Sequence, residues 1–316
     1  MTAVKERVAP ARAVDEPKPV AARRGRSKLT RRQTRAGWFM LAPALLHSSL
    51  FLAIPALAAV VIGFTDYNFG AGANFIGVQN YVELFADPRF QAALWNTIEY
   101  TLVVVPVSMA VALVVALGLN QKIKGLSVFR TMYYLPVVTA TVAAASVWLW
   151  IFNPDGGLAN GVASFFGLAR SQWLNDPNLA LPSLMAVGIW QGMGARMIVY
   201  LAALQAVPAE LLEAAQLDGA NRWQRFAHVT WPALGPAHYF VLITAIIQTF
   251  QVFDLVFVMT KGGPANSTTV LTYDIYTNAF ESLRLGYASA ETVVMLALIA
   301  VFIYLGGRTQ RRDRNA

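Results

Sequence analysis

The 316-residue sequence has no cysteine, only three histidines, and charged side chains at just 13% of its positions. Without cysteine there is no disulfide, no thiolate metal site and no thiol nucleophile. His47, His228 and His238 lack the spacing of a ligand set, so no metal site is expected. His238, in "GPAHYF" at the start of an apolar run, reads as structural or interfacial. No stretch matches G-x-x-x-x-G-K-[ST]; "TKGGPANST" from Thr260 has neither that spacing nor the Lys-Ser/Thr that ends it. The chain therefore carries no ATP site of its own. No nucleophile elbow or triad stands out either, which leaves no enzyme signature. A soluble domain carries roughly 25% charged residues. The shortage of charge points to a chain whose solvent is largely lipid.

What is present agrees, since 56% of the residues are hydrophobic. A spanning helix needs about 20 mostly apolar residues, and six stretches qualify: Trp38–Phe64, Trp95–Leu119, Thr131–Phe152, Leu181–Gln205, Ala237–Thr260 and Ala288–Leu305. The expected fold is all-α, a polytopic six-helix membrane protein. The run from Trp38 is far longer than the roughly 7–15 residues of a signal-peptide core, so it reads as a retained span. Prolines 43, 55, 106 and 136 read as ordinary kinks, tolerated because neighbouring helices satisfy the freed carbonyls.

The formal charge of +8 resides in one place. Residues 1–35 hold eleven basic and three acidic side chains, and the rest of the chain is neutral. Residues 1–37 read as a disordered basic tail suited to an anionic membrane surface. Residues 38–306 form the membrane domain, and residues 307–316 a second basic tail. Basic residues mark the cytoplasmic side. The two tails, the segment with Lys122, Lys124 and Arg130, and the segment with Arg222 and Arg225 together hold twenty. The alternate loops hold only Arg89, Arg170, Lys261 and Arg284. Both termini are expected in the cytoplasm.

Between the fourth and fifth spans lies a charged segment, residues 207–232, with Glu210, Glu213, Asp218, Arg222 and Arg225. Pro208 suits a first helical position, Gly219 a left-handed residue closing that helix, and Asn221 the cap of a second helix that Pro232 ends. The segment reads as helix, tight turn, helix. Two basic against three acidic residues give no phosphate-attracting surface, so nucleic acid is excluded. At about 30 residues it far exceeds the roughly 2–8 of a simple helix link. It reads as a docking element for a cytoplasmic partner.

Polar residues inside spans are costly and mark function by default. In the fifth span Thr244, Gln248 and Gln251 share a helix face, with Thr249 and Asp254 beside them. This stripe either lines a substrate path or bonds helix to helix. In the fourth span, "VGIWQGMGARM" sets Gly188 and Gly192 at close-packing spacing, with Trp190 and Gln191 offering a ring and an amide to a sugar. Plain packing serves Trp190 equally. Arg196 lies about 15 Å from the inner end of its span and Asp254 about 26 Å, a poor match in depth for straight helices. An acceptor on a second membrane subunit and an anionic substrate group both remain open for Arg196.

The run Glu213-Ala214-Ala215, then Gly219, then Val229, Trp231 and Pro232, resembles the EAA motif, EAA-x3-G-x9-I-x-L-P, with Val229 and Trp231 in place of isoleucine and leucine. "LQAVPAEL", "DGA" at Asp218–Ala220, "TKGGPANSTTVLTYDIYTNAF" and "LGYASA" extend the likeness. The chain resembles the permease of a binding-protein-dependent ABC importer of the carbohydrate-uptake (maltose or glycerol-phosphate) type, and its first permease in particular. The resemblance implies a type I importer fold in a bacterial inner membrane and half of a pore for a sugar or polyol. It implies a second permease, two ATP-binding subunits and an extracytoplasmic binding protein docking on outward loops such as Ser267–Gly286. It makes Glu213, Ala214, Ala215, Asp218, Gly219 and Ala220 the ATPase contact, and Trp190, Gln191, Gly192, Thr244, Gln248, Thr249 and Gln251 candidates for the path. No cofactor is expected, ATP being used by the partners. The rival is an ion-gradient-driven secondary transporter, which would show two inverted repeats; no such symmetry is seen.

Overall fold

The computed structural model describes residues 28–69, 72–121 and 125–313, and these are predominantly helical. The chain divides into two units, residues 1–55 and 56–316. In the first, helix α1 (Lys28–Ser48) runs into a π turn at Ser49–Ala53; α2 (Ile54–Ile62) begins at its end and belongs mostly to the second. Helix thus begins at Lys28, within the segment expected to be a disordered tail. Residues 1–27 of that tail, Lys122, Lys124 and residues 314–316 lie outside the described residues. The π turn has a local cause. Pro55 has no N–H to give and its ring crowds the preceding turn. Widening that turn, so that Ile54 N–H meets Ser49 O, accommodates both.

In the second unit α3 (Gln79–Ala86) precedes α4 (Pro88–Leu119). Asp87 caps α4 by accepting from Arg89 N at 2.8 Å, and Pro88 opens its first turn at no hydrogen-bonding cost. The third span was expected as one helix, Thr131–Phe152. Instead α5 (Leu126–Val138) and α6 (Thr141–Ile151) meet at a 99° bend. Pro136 and the β-branched run Val137-Val138-Thr139 hold α-helix poorly, and Thr139 is extended. After α7 (Leu158–Phe165) come α8 (Ala180–Gln205), α9 (Ala209–Leu217) and α10 (Arg222–Arg225). A second π turn at Phe226–Thr230 leads to α11 (Trp231–Ala233) and α12 (Gly235–Phe250). The fifth span then breaks at Gln251–Phe253 before α13 (Asp254–Met259). α14 (Leu271–Tyr276) and α15 (Leu285–Asp313) complete the chain, α15 continuing past residue 307, where a tail was expected. Among the described residues, five helical runs are long and apolar enough to cross a bilayer, and the bent pair α5–α6 makes six.

The spine is the pair α4–α8. Lipid gives helices no hydrophobic drive to associate, so close contact of small residues must hold them. Ala112 and Ala116 of α4 are fully buried and cluster with Met197, Tyr200, Leu201 and Leu204 of α8. At Gly194 of α8 a Cβ would stand 2.4 Å from Tyr133 O, so only glycine lets α5 approach there. Polar ties add register: Asn96 Nδ2 donates to Asn266 O and Thr269 O at 2.9 Å each, and Leu271 N donates to Thr97 Oγ1 at 2.9 Å. The α9–α10 hairpin and the segment after α13 therefore occupy opposite ends of the span Gly235–Met259.

Candidate functional site

The hairpin is built as its residues dictate. Gly219 has φ +81°, the left-handed conformation that costs other residues most. Ala220 N–H bonds Ala215 O at 2.9 Å and Gly219 N–H bonds Gln216 O at 3.1 Å, the paired closure of a Schellman motif. Asn221 then caps α10 reciprocally, its Oδ1 accepting from Gln224 N at 2.9 Å while Gln224 Oε1 accepts from Asn221 N at 2.8 Å. Arg225 Nη1 donates to Gln216 Oε1 at 2.9 Å and ties the two helices together. Two details differ from expectation. Pro208 is extended (ψ 127°) and sits one residue before α9 rather than in it. Pro232 ends nothing: the preceding π turn, closed by Trp231 N–H to Phe226 O, absorbs its missing N–H and the helix runs on.

No residue of α9 is buried. Glu213, Ala214, Asp218 and Gly219 are exposed, and Ala215 and Ala220 are half-buried. Leu217 is 89% exposed and Trp223 73%. Trp223 also packs on Phe226 at 5.7 Å between ring centroids. Neither Leu217 nor Trp223 was singled out by the motif, although an exposed leucine at the end of a polar helix was visible in the sequence.

A cavity of about 310 Å³ opens where the two broken spans meet α4 and α8. Gln191, Gly192, Gln248, Thr249 and Gln251 of the expected path all line it. Trp190 and Thr244 do not: Trp190 packs edge-on against Trp148 at 5.5 Å between ring centroids, and Thr244 Oγ1 bonds Phe240 O and Val241 O of its own helix. Thr249 Oγ1 also bonds back, to Ala245 O and Ile246 O. Sequence reasoning missed Tyr100 and Thr141, which reach the same cavity from α4 and α6. The signal was faint, a hydroxyl in each span, and the cavity exists only because the helices pair as they do. Gln191 Nε2 donates to Thr141 Oγ1 at 3.0 Å across it. Arg196 Nη2 donates to Gln248 Oε1 at 3.2 Å, so a first acceptor lies on this chain's own fifth span. Arg196 and Asp254 make no ion pair, as their depths implied, yet both line this cavity. Gly188 and Gly192 each lie under a neighbouring side chain: a Cβ at Gly188 would stand 2.0 Å from Tyr100 Oη of α4, and one at Gly192 1.9 Å from Arg196 Nη1.

A larger cavity, about 920 Å³, lies between α4, α12, α15 and the hairpin aromatics Trp223, Phe226 and Trp231. Its polar lining is little more than Thr101, Tyr200 and His238, and His238 Nδ1 is already 3.1 Å from Tyr200 Oη. Such a wall suits hydrocarbon, not hydroxyl-rich solutes. Size alone is a poor guide here, and the polar cavity is the better candidate.

At the far end of the bundle, Arg89 Nε lies 2.6 Å from Asp274 Oδ1, close in distance though the N–H is not aimed at the oxygen. Asn278 Nδ2 donates to Glu291 Oε1 at 3.2 Å and Tyr287 Oη to Asp87 Oδ2 at 2.9 Å. Burial pushes the Asp274 carboxyl above its ordinary range, against the opposing pull of Glu291 and Arg89. In the segment Ser267–Gly286, Thr268 and Thr269 are buried, whereas Phe280, Glu281, Ser282 and Leu283 are exposed.

Residues 104–314 match the family described as binding-protein-dependent transport system inner membrane component. The lactose transport system permease protein LacF of Rhizobium radiobacter is 37% identical over 89% of this chain and 95% of its own length. The sulfoquinovosyl glycerol transport system permease protein SmoG of Agrobacterium fabrum is 36% identical, over 82% and 85% respectively. Among solved structures, a chain of a bacterial ABC transporter that imports the acidic polysaccharide alginate superposes with a TM-score of 0.78 at 25% identity, covering 90% of this chain and 99% of that one.

Proposed function

The chain belongs to the family of binding-protein-dependent transport system inner membrane components, as a permease subunit of an ATP-binding-cassette importer, and from that premise we propose that its polar cavity is its half of a carbohydrate path. The observation that carries this reading is the convergence of three glutamines, Gln191, Gln248 and Gln251, on a cavity at two helix breaks. Amides both donate and accept, as sugar hydroxyls require. Non-helical backbone at membrane depth is tolerated where it lines a cavity. Relatives named for lactose and for sulfoquinovosyl glycerol support the substrate class. The ion-gradient alternative has no counterpart among them.

The partners we assign are a second permease completing the pore, two ATP-binding subunits, and a binding protein docking on the exposed part of Ser267–Gly286. No cofactor is assigned to this chain; ATP is bound by the partners. The Lys/Arg asymmetry supports a multi-pass arrangement in the bacterial inner membrane with both termini and the hairpin cytoplasmic. The hairpin would then seat Glu213, Ala214, Ala215, Asp218, Gly219 and Ala220 on the ATPase, with Leu217 and Trp223 beside them. From Arg222 to Phe250 the backbone is helical through the π turn with a single turn residue at Leu234. At 1.5 Å per residue this is a lever of about 40 Å that ends at the cavity wall. Trp190 and Thr244 act behind that wall, by packing and by shaping α12.

The test is the complete complex. ATP should drive labelled-sugar uptake into proteoliposomes, and collapsing the proton and sodium gradients should leave it unchanged. Gly219→Pro, which forbids the observed φ, and Glu213→Lys should remove the ATPase from the purified complex while the chain still inserts. Uptake without the ATPase, or full ATPase retention by both variants, would refute the assignment.

A further inference from the structure

Arg196 is a buried cation without a counter-charge. It lies midway along α8 with 5% of its surface exposed. Gln248 supplies one neutral acceptor, and Nε and Nη1 have none. Neither ion pair found among the described residues includes it. An uncompensated guanidinium inside a span is expensive and is retained for a reason. Its Nη1 lies over the bare backbone of Gly192, where a Cβ would stand 1.9 Å away, and both residues line the cavity.

A second feature points the same way. The bend in the third span makes Thr141 the first residue of α6, an eleven-residue helix whose N-terminus has no side-chain cap. Thr141 lines the same cavity as Arg196. Uncapped N–H groups carry the positive end of the helix dipole and favour anions. Asp254 is the one acidic side chain on the lining. It is exposed, it stands in the first turn of α13 where its charge meets that helix's dipole, and it leaves Arg196 unpaired. A carboxylate on the lining can accept hydrogen bonds from hydroxyls.

We propose that the substrate is an anionic carbohydrate, whose carboxylate, sulfate, sulfonate or phosphate group is neutralised by Arg196 near the N-terminus of α6. The proposal rests on the reading of this cavity as the path. Hydroxyls of the same molecule then meet Gln191, Gln251 and Asp254. A neutral sugar would leave the guanidinium buried and unpaired in every transport cycle, whereas an oxyanion supplies the charge-assisted bonds its two free nitrogens lack.

The experiment uses the complete complex with its binding protein in proteoliposomes. The labelled probes are glucuronate, glucose 6-phosphate and glucose 6-sulfate against glucose and lactose. ATP-driven uptake of at least one anionic probe should exceed both neutral probes by about ten-fold or more. Arg196→Gln should lower that uptake about ten-fold, Arg196→Lys should restore part of it, and both variants should retain the second permease and the ATPase on purification. ATP-driven uptake of glucose or lactose equal to that of the anions overturns this inference and leaves the carbohydrate reading intact. Uptake of none of the five overturns both. Loss of the second permease from Arg196→Gln would assign the guanidinium to an acceptor on that partner and overturn the proposal. So would unchanged anion uptake.

Discussion

Asp274 is fully buried between Arg89 on α4, Glu291 and Tyr287 on α15 and Asp87 at the α4 cap, and burial raises its carboxyl pKa. A raised folded-state pKa means that the folded chain holds the proton more tightly than the unfolded one. The stability this gives is complete below the ordinary value of 3.8 and is lost as pH rises through the folded value. Asp274→Asn keeps the shape of the protonated acid and cannot ionise. Thermal unfolding of the purified complex should therefore show wild type and Asp274→Asn nearly level at the acid end. The variant should gain on wild type as pH rises above the ordinary carboxylate range, with a slope of at most about 1.4 kcal/mol per pH unit for one group. A difference independent of pH, or one of opposite slope, would show that the ion pair with Arg89 outweighs burial. The same residue scale explains why glycine stands at 188 and 192. Each lacks a Cβ where a neighbour's polar end, Tyr100 Oη or Arg196 Nη1, occupies the space. From sequence the two glycines signalled only close packing, because a slot is defined by what fills it.

Local rules decide the hairpin, and an element made by local rules can be tested by breaking them one at a time. Asn221→Ala removes the reciprocal cap and should cost α10 about 1 kcal/mol. Gly219→Ala keeps the same space, since nothing lies within 4 Å of a Cβ there, but strains a left-handed residue by about 1 kcal/mol. Amide hydrogen exchange over Ala220–Arg225 should accelerate in both variants, and the ATPase should co-purify in smaller yield. Unchanged exchange would mean that the loop closes by other contacts. This locality is why Gly219 and Asn221 were readable in the sequence, together with most of the span ends. The breaks were not. Pro136 looked like a simple kink, and the run from Thr131 to Phe152 carries no charge, so periodicity gave no hint of a 99° bend. Gln251-Val252-Phe253 contains no glycine or proline to announce a break in the fifth span. The π turns follow a rule that can be stated afterwards: two of them, at Ser49–Ala53 and Phe226–Thr230, stand two residues ahead of Pro55 and Pro232. Five of the seven expected path residues reached the cavity because a helical stripe of amides needs no tertiary knowledge. Thr141 and Tyr100 were missed because they come from other helices.

Across residues 56–316, the parts that a partner would push and the parts that a substrate would meet are joined by one helical run. The α9–α10 hairpin leads into it at Arg222, the π turn takes up Pro232, the single turn residue Leu234 separates α11 from α12, and Gln251 ends it at the cavity. On the opposite wall Thr141 starts α6 just beyond the bend, and α6 packs on α13 across the core cluster that holds Ala145, Leu255 and Val256. If the hairpin is the docking element proposed above, a push on it would reach one wall along this route, and the bend and the break are where the two walls would move. The chain contains no cysteine, so a single introduced cysteine is the one labelling site on it, read on this chain's own band after separation from its partners. In the complete complex, Gln251→Cys and Thr141→Cys should react with a water-soluble maleimide at rates differing by about ten-fold or more between nucleotide-free and ATP-bound states, an order set by the 1.4 kcal/mol that separates a tenfold population change. A cysteine at Leu217 on the hairpin should be protected whenever the ATPase is bound, whatever the nucleotide. If the cavity cysteines label at equal rates in both states while Leu217→Cys is protected, the ATPase docks without moving the wall, and the lever from Arg222 to Phe250 is not the route by which its work reaches the substrate.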